Sequence, residues 1–250
     1  MPRFGSWLLA VCFFVSGGAF AGTACPNFFV AGSAPTLDAS LLSRTTEVCH
    51  TEYVLFASGV TKGPLYSAEH LTAAQIAGAN SISRSGSWHQ ETGIPTADRS
   101  QSSDYTNSGY DRGHMTPAGD ASTLASEGET FSMANVVPQL HKLNAGEWEK
   151  IENYVRNIAT QQGEVYVVTG PAFDPTTIPT IGKDNVAVPA YTWKAVYEPG
   201  VGAAAFLCTN ADNYTCAVVS VDDVKTMSGV DPFPALSAAM KSNPIGLTLP

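Results

Sequence analysis

The segment between residues 111 and 152 constrains this chain more than any other part of its sequence. It begins with Asp-Arg-Gly-His-Met, which contains His114, and continues through Asn135, Asn144 and Glu152. Together these side chains supply a guanidinium, a titratable imidazole, neutral amide oxygens and a carboxylate. Hydrolysis of a phosphodiester bond needs a base for water, a cation near the leaving oxygen and positive charge on the phosphoryl oxygens. The segment therefore favours phosphodiester chemistry.

The sequence after Asn144 has a helical pattern. Its apolar residues recur at steps of three and four, and its polar residues lie mainly on the other side of the predicted helix. Gly163 is typical of a helix end. The apolar positions are Trp148, Ile151, Val155 and Ile158, and the polar positions are Glu149, Lys150, Asn153 and Arg156.

The rest of the chain mixes strands and helices without a regular βαβ alternation, which predicts an α+β fold. Residues 53–57 and 64–68 are predicted to pair as strands across a turn at Gly63. Residues 73–80 are ambiguous, and the polar residues 83–110 are predicted to form a long loop of the kind that is often functional. Further strands are predicted at 165–169, where Gly170-Pro171 closes the strand, and at 187–197, 203–208 and 217–221. A short helix capped by Asp222 and a closing helix over 234–241 complete the prediction.

Residues 1–21 are predicted to be a secretory signal peptide. Arg3 supplies a minimal positive region, residues 7–15 are apolar but too short to span a bilayer, and Ala19-Phe-Ala offers a small-x-small cleavage pattern. A buried first helix, or a lipoprotein site at Cys12 or Cys25, is the alternative.

The mature chain is then expected to begin near Gly22 and to form a single domain over residues 22–250. No other segment approaches 18 apolar residues, so we expect no membrane association after cleavage. The expected location is secreted or periplasmic. The sequence leaves the oligomeric state open and implies no protein partner.

Four cysteines would remain after cleavage, and an even number in an exported chain predicts two disulfides. Cys208 and Cys216 flank a turn-rich stretch between strand-like segments, and a hairpin there would bring their sulfurs together. This favours Cys208–Cys216 and, by default, Cys25–Cys49. A four-cysteine zinc site is the alternative, although the sequence has no Cys-x-x-Cys pair.

The net charge is unusual for a protein that binds a polyanion. The formal charge is −9 and becomes −10 when Arg3 is lost, whereas nucleic-acid-binding proteins usually carry a basic face. Either the few basic residues are concentrated in one groove, or the protein makes few phosphate contacts.

His114 differs from the other histidines because it lies among turn-forming residues, upstream of the helix that carries Asn144 and Glu152. A neutral imidazole can take a proton from water near pH 7, so His114 is the candidate general base. For the other histidines a structural role is the default interpretation; they are His50, His70, His89 and His141.

Asn144 has two competing interpretations. It could be the N-cap of the predicted helix, or its amide oxygen could bind magnesium, which prefers hard oxygen ligands and retains several waters. Glu152, eight residues further on, would lie about 80° around and roughly 12 Å along a straight helix. It is therefore better placed to hold a water of the ion than to bind the ion directly, or it could be a solvated surface glutamate.

Purely structural interpretations also exist for other polar candidates. Arg112 could contact phosphate or pair with Asp111. Asn135 could be only a buried amide that ties down a turn. Arg84 and Arg99 lie in the polar loop, where they could contact substrate.

Taken together, these residues resemble the DNA/RNA non-specific endonucleases, whose active site is a ββα-metal (His-Me) finger. The resemblance runs from about residue 53 to 241 and implies a mixed, mainly antiparallel sheet. Asp-Arg-Gly-His alone is short, but six segments in order are highly specific. They are Gly-Tyr-Asp-Arg-Gly-His-Met (109–115), Met-Ala-Asn-Val-Val-Pro-Gln (133–139), Leu-Asn-Ala-Gly-Glu-Trp (143–148), Val-Tyr-Val-Val-Thr-Gly-Pro (165–171), Val-Pro-Ala-Tyr-Thr-Trp-Lys (188–194) and Val-Asp-Pro-Phe-Pro (230–234).

The resemblance implies a role for each site residue. Asn144 would be the protein ligand of a single Mg²⁺, for which Mn²⁺ could substitute, and Glu152 would act in the water shell of that metal. The other implied roles are general base for His114, shaping of the site for Asn135, phosphate contact for Arg112 and transition-state contact for Arg84, in Arg-Ser-Gly-Ser-Trp. Residues 22–50 and the cysteines lie largely outside the resemblance.

The sequence therefore predicts a secreted, Mg²⁺-dependent endonuclease that cleaves DNA and RNA without strong sequence specificity. Two alternatives are a secreted binding module on an inactive nuclease scaffold, and a phosphodiesterase for small substrates. An intact His114, Asn144 and Glu152 argue against the first, and an open groove would argue against the second. DNA-versus-RNA preference and strand preference are not encoded in any recognisable pattern.

Overall fold

We describe residues 22–250 of a computed structural model of the chain. The predicted signal peptide lies outside these residues. Within the described part of the chain, no helix combines the length and apolar character needed to cross a bilayer.

The chain alternates irregularly between strands and helices, as expected for an α+β protein. The strands are β1 (Thr36–Leu37), β2 (Thr45–Cys49), β3 (Val54–Ser58), β4 (Gly63–Thr72), β5 (Asp111–His114), β6 (Val136–Gln139), β7 (Glu164–Ala172), β8 (Thr180–Ile181), β9 (Val186–Ala187), β10 (Tyr191–Glu198), β11 (Gly202–Thr209), β12 (Cys216–Val219) and β13 (Val230–Asp231). The α-helices are α1 (Ala73–Ala79), α2 (Leu124–Thr130), α3 (Glu149–Gln162), α4 (Val221–Ser228) and α5 (Ala238–Ser242). Short 3₁₀ turns lie at Pro26–Phe28, Val30–Gly32, Ala39–Leu41, Thr96–Asp98, Ser102–Tyr105, Ala118–Asp120 and Met133–Asn135, and a π-type turn lies at Leu143–Trp148.

A seven-stranded sheet in the order β12-β11-β10-β7-β4-β3-β2 forms the centre of the fold. Every neighbouring pair in this sheet is antiparallel, which confirms the predicted fold class. The strands β5 and β6 form a separate antiparallel hairpin. Two further pairs, β1 with β13 and β8 with β9, are only two residues long.

Two apolar cores cover the two faces of the sheet. On one face the lead-in segment and α4 contribute residues such as Phe29 and Val221. On the other face α1 and α3 contribute Ile76, Ile151 and Val155. Because both faces are covered, the central strands are buried along most of their length. The predicted apolar face of α3 is thereby confirmed, and Gly163 ends the helix with a φ of 94°.

Several element boundaries differ from the prediction. The ambiguous residues 73–80 form α1, because Thr72 and Gln75 make a capping box at its start. The strand predicted at 165–169 continues through Gly170-Pro171 as β7. The strand predicted at 187–197 is two strands, β9 and β10, separated at residues 188–190.

The predictions near the C-terminus also need correction. Ser220, not Asp222, caps α4, because its hydroxyl accepts from the backbone of Asp223. The preceding strand therefore ends at Val219 instead of residue 221. The closing helix is shorter than predicted, since Ser237 caps it and it covers only Ala238–Ser242.

Both predicted disulfides are present. Cys208 and Cys216 face each other in the register of β11 and β12 with Cα atoms 4.1 Å apart. Cys25 bonds to Cys49 at the end of β2, with Cα atoms 6.0 Å apart, and so ties the lead-in segment to the sheet. The zinc alternative is excluded, because all four thiols are bonded.

Candidate active site

The β5–β6 hairpin carries His114 at the end of its first strand, opposite Val136. The imidazole packs at a ring-centroid distance of 5.0 Å from Trp88 and edge-on against Phe131 at 5.2 Å. Its buried Nε2 has no hydrogen-bond partner among the described residues. Burial, reinforced by the positive charge of Arg84, lowers the pKa of His114 from 6.5 to about 3. The ring is therefore neutral at physiological pH.

Asn135 fixes the backbone just after His114. Its Oδ1 accepts from the Thr116 amide at 3.1 Å, and its Nδ2 donates to the carbonyls of Thr116 and Thr130, both at 2.9 Å. The side chain is fully buried. Its hydrogen bonds match the interpretation of a buried amide that ties down a turn, and it shapes the site without lining the cavity next to His114.

The turn Leu143–Trp148 and α3 carry the next two candidate residues, Asn144 and Glu152. Gly146 departs from helical geometry (φ −117°, ψ −110°), so α3 begins only at Glu149. Asn144 consequently precedes the helix and is not its N-cap. Its Nδ2 donates to Asp111 Oδ2 at 3.0 Å, and the same oxygen lies 2.8 Å from His141 Nδ1. No donor within residues 22–250 reaches Asn144 Oδ1, which leaves that oxygen available as a ligand.

One cavity of about 210 Å³ brings the predicted groups together. Asn144 and Glu152, which a straight helix would place roughly 12 Å apart along its axis, both line this cavity, and the chain departs from helical geometry between them at Gly146. The lining residues are Arg84, His114, Pro117, Ala118, Asn144, Ala145, Glu149 and Glu152.

Glu152 is a partly buried carboxylate, not a solvated one. No hydrogen bond to it is formed within the described chain. Burial raises its pKa from 4.5 to about 7, although the nearby charges of Lys194 and Arg156 oppose that rise. The group is therefore poised between protonated and ionised forms near neutral pH, and a bound cation would favour the ionised form.

Arg156 belongs to the site although the helical pattern placed it mainly on the solvent side. It lies one turn after Glu152, its side chain is only 12% exposed, and it pairs with Asp120 at 2.6 Å. It lines a second cavity of about 310 Å³ that adjoins the first, since both are lined by Arg84 and Ala118. The spacing of four residues from Glu152 was the signal that could have identified it.

Gly119 permits the two guanidiniums to approach each other. A Cβ at this position would lie 2.8 Å from Arg84 Nη2 and 3.0 Å from Arg156 Nη1. Any larger residue would displace one of these groups. The two guanidiniums thus meet at the junction of the two cavities, where Asp120 pairs with Arg156.

A buried lysine lies behind the site and was not predicted. Lys194 is 1% exposed, donates to Thr169 Oγ1 at 2.7 Å and lies 3.4 Å from the Met115 carbonyl. Its Nζ is 5.6 Å from the ring centroid of Trp148. Nearby, burial and the charge of Asp120 raise the pKa of Glu69 well above its usual range.

Arg112 and Arg99 do not line either cavity. Arg112 donates to the Ser102 carbonyl at 2.7 Å, and its guanidinium lies 5.6 Å from the Trp88 ring and 5.3 Å from the Tyr105 ring. No ion pair with Asp111 forms within the described residues. Arg99 donates to backbone carbonyls of its own loop. Phosphate contact by Arg112 would thus require a different side-chain position.

The donor set fits a hard divalent cation. The cavity offers the free amide oxygen of Asn144 and the carboxylates of Glu149 and Glu152, which are oxygen ligands of the kind that Mg²⁺ prefers. Elsewhere in the described chain, the one group of three potential metal ligands within reach of one another is Cys25, Glu47 and Cys49. Its sulfurs are bonded to each other, so it is not a competing metal site.

Several known proteins that are similar to this chain are named nucleases. The mitochondrial nuclease EXOG of Danio rerio is 31% identical over 215 residues, covering 78% of this chain, and the human protein of that name is 31% identical over 218 residues. The chain spans only 62% and 59% of the length of these two relatives. A nuclease of Syncephalastrum racemosum is 39% identical over 138 residues, which cover 54% of this chain and 41% of that protein.

A solved structure of an EndoG/EndoGI complex contains a chain that matches with a TM-score of 0.73 and 26% identity. The match covers 82% of this chain and 92% of that one. The sequence profile described as "DNA/RNA non-specific endonuclease" matches residues 36–239. This chain therefore belongs to the DNA/RNA non-specific endonuclease family.

Proposed function

We propose that the protein is a Mg²⁺-dependent endonuclease that hydrolyses phosphodiester bonds of DNA and RNA without strong sequence specificity. The observation that carries this proposal is the convergence of His114, Arg84, Asn144 and Glu152 on one cavity. Membership of the family and the nuclease names of the relatives support it.

In this proposal His114 is the general base. Because its ring is neutral at physiological pH, it can accept a proton from water as the water oxygen bonds to phosphorus. The bond between phosphorus and the leaving oxygen breaks, and that oxygen takes up a proton from solvent. Arg84 stabilises the negative charge that accumulates on the phosphoryl oxygens.

Asn144 and Glu152 are the residues that would hold the cation. Asn144 offers its free Oδ1 directly, with Asp111 fixing the orientation of the amide. Glu152 contributes negative charge from the helix side of the cavity. When bound, Mg²⁺ supplies charge neutralisation near the leaving oxygen, and Mn²⁺ could substitute because it accepts similar oxygen ligands.

A phosphodiesterase for small substrates is the second candidate. A cavity of about 210 Å³ taken alone would suit a small substrate. The adjoining cavity beyond Arg84 extends the polar surface past the reacting centre, which favours a polynucleotide.

Cleavage of a circular plasmid tests the proposal directly. We expect nicking and linearisation with Mg²⁺ or Mn²⁺, none in excess EDTA, and cleavage of a circular single-stranded RNA under the same conditions. Hydrolysis of a small phosphodiester ester with intact plasmid would favour the second candidate. Inactivity on every substrate with metal present would favour the binding module on an inactive scaffold.

We also propose that the protein is exported to the periplasm or the medium. The apolar N-terminal segment and the two disulfides support this proposal. Intact-mass measurement of protein isolated from the producing cell's export compartment should find a chain starting near residue 22 with no free thiol. A full-length chain with free thiols, found in the cytoplasm, would contradict export.

A further inference from the structure

Arg84 lies on a stretch of backbone that has no regular structure of its own. Residues 83–88 belong to neither a strand nor a helix. The guanidinium nevertheless lines both cavities of the site. Some other part of the molecule must therefore determine where this loop runs, since an unsupported loop would leave Arg84 free to sample many positions.

Glu127, on α2, supplies that support. It is fully buried, and its Oε1 accepts from the backbone amides of Ser85 and Gly86, each at 3.3 Å. These are the two residues that directly follow Arg84. The other carboxylate oxygen, Oε2, has no hydrogen-bond partner within residues 22–250. The contacts that engage this buried acid are thus the ones made to the loop.

The residue after α2 packs against the same loop. A Cβ at Gly86 would overlap the ring of Phe131, so the loop can lie on this ring only because residue 86 is glycine. Phe131 in turn contacts the rings of His114 and Trp88, with the latter centroid 4.9 Å away. One end of α2 therefore contacts both the Arg84 loop and the imidazole.

We propose that Glu127 is a positioning residue that fixes the backbone after Arg84 and thereby directs its guanidinium into the cavity. The catalytic consequence rests on the proposed function, in which Arg84 contacts the substrate phosphate. A carboxylate suits this task because hydrogen bonds from amides to an ionised acceptor are stronger than those to a neutral one. The alternative is that Glu127 only stabilises α2 through its first turn.

Hydrogen exchange of the peptide spanning residues 84–88 tests the positioning claim without depending on activity. Loss of the hydrogen bonds in Glu127→Ala should accelerate exchange there by about 10- to 100-fold. Glu127→Gln keeps an oxygen acceptor and should retain most of the protection. Glu129→Ala is the matched control, because Glu129 lies on the same helix and its carboxylate accepts two hydrogen bonds from Thr51 instead of from the loop.

Unchanged exchange in Glu127→Ala would overturn the proposal, as would equal acceleration in Glu129→Ala. If Glu127→Ala fails to fold, Glu127→Asp shortens the side chain by one methylene and withdraws the carboxylate from the amides of Ser85 and Gly86. It should accelerate exchange in the same peptide, and protection equal to that of the unmodified protein would overturn the proposal.

Kinetics then separate the positioning claim from the proposed function. Glu127→Ala should lower kcat on plasmid DNA by about tenfold or more, and adding Glu127→Ala to Arg84→Ala should cause little further loss, because both changes remove the same contact. Fully additive losses would overturn the proposal, since Glu127 would then act on another group. A normal kcat in Arg84→Ala with accelerated exchange in Glu127→Ala would contradict only the catalytic role of Arg84.

Discussion

The two walls of the cavity are held in place by different means. His114, Asn144 and Glu152 come from one continuous stretch, in which the β5–β6 hairpin and α3 set the backbone through local pairing. Arg84 comes from an irregular loop whose anchor, Glu127, lies 42 residues from Ser85 in the sequence. The first wall is carried by a hairpin and a helix, and the second depends on a side chain from another element that holds an irregular loop.

A short sequence motif can therefore specify the first wall but not the second. Side chains on a hairpin and a helix keep their relative positions whenever those elements form, so a short segment specifies them. A loop side chain has its position only when its distant support is also present. Variants of the first wall should thus change chemistry or metal binding with the backbone intact, whereas variants of the second should change backbone order first.

The largest effect is expected on the wall that carries the base. His114→Ala should lower kcat by about 10²–10⁴-fold, because no other imidazole lines the cavity and a general base contributes about that much. Initial rates of plasmid cleavage at saturating Mg²⁺ measure the loss, and circular dichroism checks the fold.

His70→Ala is the matched control for this variant. His70 is stacked on Tyr166 at 4.2 Å and hydrogen-bonded to Glu164, and it does not line the cavity. Its replacement should leave the rate within a few-fold of the unmodified protein. A His114→Ala rate in that same range would remove His114 from the mechanism.

The next effect concerns the candidate metal ligand, Asn144, which belongs to the same wall as His114. Asn144→Ala should raise the Mg²⁺ concentration for half-maximal activity by at least about 10- to 100-fold, and Asp111→Ala should raise it less, because Asp111 acts only by orienting the amide. Magnesium titrations of activity, together with thermal unfolding without metal, separate ligand loss from instability. Asn213→Ala, an exposed loop variant, is the control, and a similar titration curve for Asn144→Ala would contradict its role as a ligand.

The sequence predicted which residues form the wall with His114, Asn144 and Glu152, but it did not predict the backbone geometry of that wall. The order and spacing of His114, Asn144 and Glu152 were sufficient to predict a shared site. The bend at Gly146 was not predicted, because helical periodicity reports which face is apolar and carries no information about a single irregular dihedral pair. Both residues line one cavity, and the placement of Glu152 in the water shell of the ion stays a prediction.

Other groups escaped prediction because they depend on long-range contacts. Lys194 lies in an apolar strand segment, and nothing local shows that Thr169 and the Met115 carbonyl will surround its ammonium group. Glu127 was not identified either, because nothing near it in the sequence shows that the Arg84 loop will lie against it. In contrast, the Cys208–Cys216 pairing was predictable, since a hairpin with a turn-rich loop brings its flanking residues together.

Acid stability should distinguish two titrating groups that line the cavity, His114 and Glu152. The folded-state pKa of His114 is lowered to about 3, so the folded protein holds fewer protons than the unfolded chain between about 6.5 and 3. Its contribution to stability is therefore lost as the pH falls through that window. The folded-state pKa of Glu152 is raised to about 7, so its protonation favours folding as the pH falls from about 7 towards 4.5.

Two variants with a glutamine, which does not titrate, should therefore change the acid-induced loss of stability in opposite directions. Relative to the unmodified protein, His114→Gln should lose less stability between about pH 7.5 and 5, and Glu152→Gln should lose more. Urea unfolding in EDTA at both pH values measures this, since metal would alter both titrations. If both variants changed the acid-induced loss of stability in the same direction, the pKa of His114 could not be lowered while that of Glu152 is raised.

The smallest expected effect is the response of activity to salt, and it concerns the charge that each wall can present to a polyanion. Five of the twelve basic residues in the described chain already pair with carboxylates, namely Arg44, Lys150, Arg156, Lys225 and Lys241. Lys194 is buried, and Arg99 and Arg112 donate to carbonyls. Few cations are left to displace counterions from nucleic acid. Each neutralised phosphate contributes about −0.9 to the slope of the logarithm of the binding constant against the logarithm of salt concentration.

Duplex cleavage should therefore tolerate moderate salt, with an optimum above zero added salt. The acidic surface, with a net charge of −9 over the whole chain, repels the substrate at low ionic strength, and salt screens that repulsion as the Debye length shrinks to about 8 Å at 0.15 M. Initial rates from about 10 mM to 1 M NaCl at fixed Mg²⁺ span this range. A steep monotonic fall from the lowest salt would contradict the expectation, because it would mean that a basic groove around Arg84 dominates binding despite the net negative charge.

The same salt series with Arg84→Ala tests the wall that carries Arg84. If Arg84 supplies a phosphate contact that the wall with His114, Asn144 and Glu152 does not, the logarithm of binding strength should fall less steeply with the logarithm of salt concentration in the variant, by about one in slope.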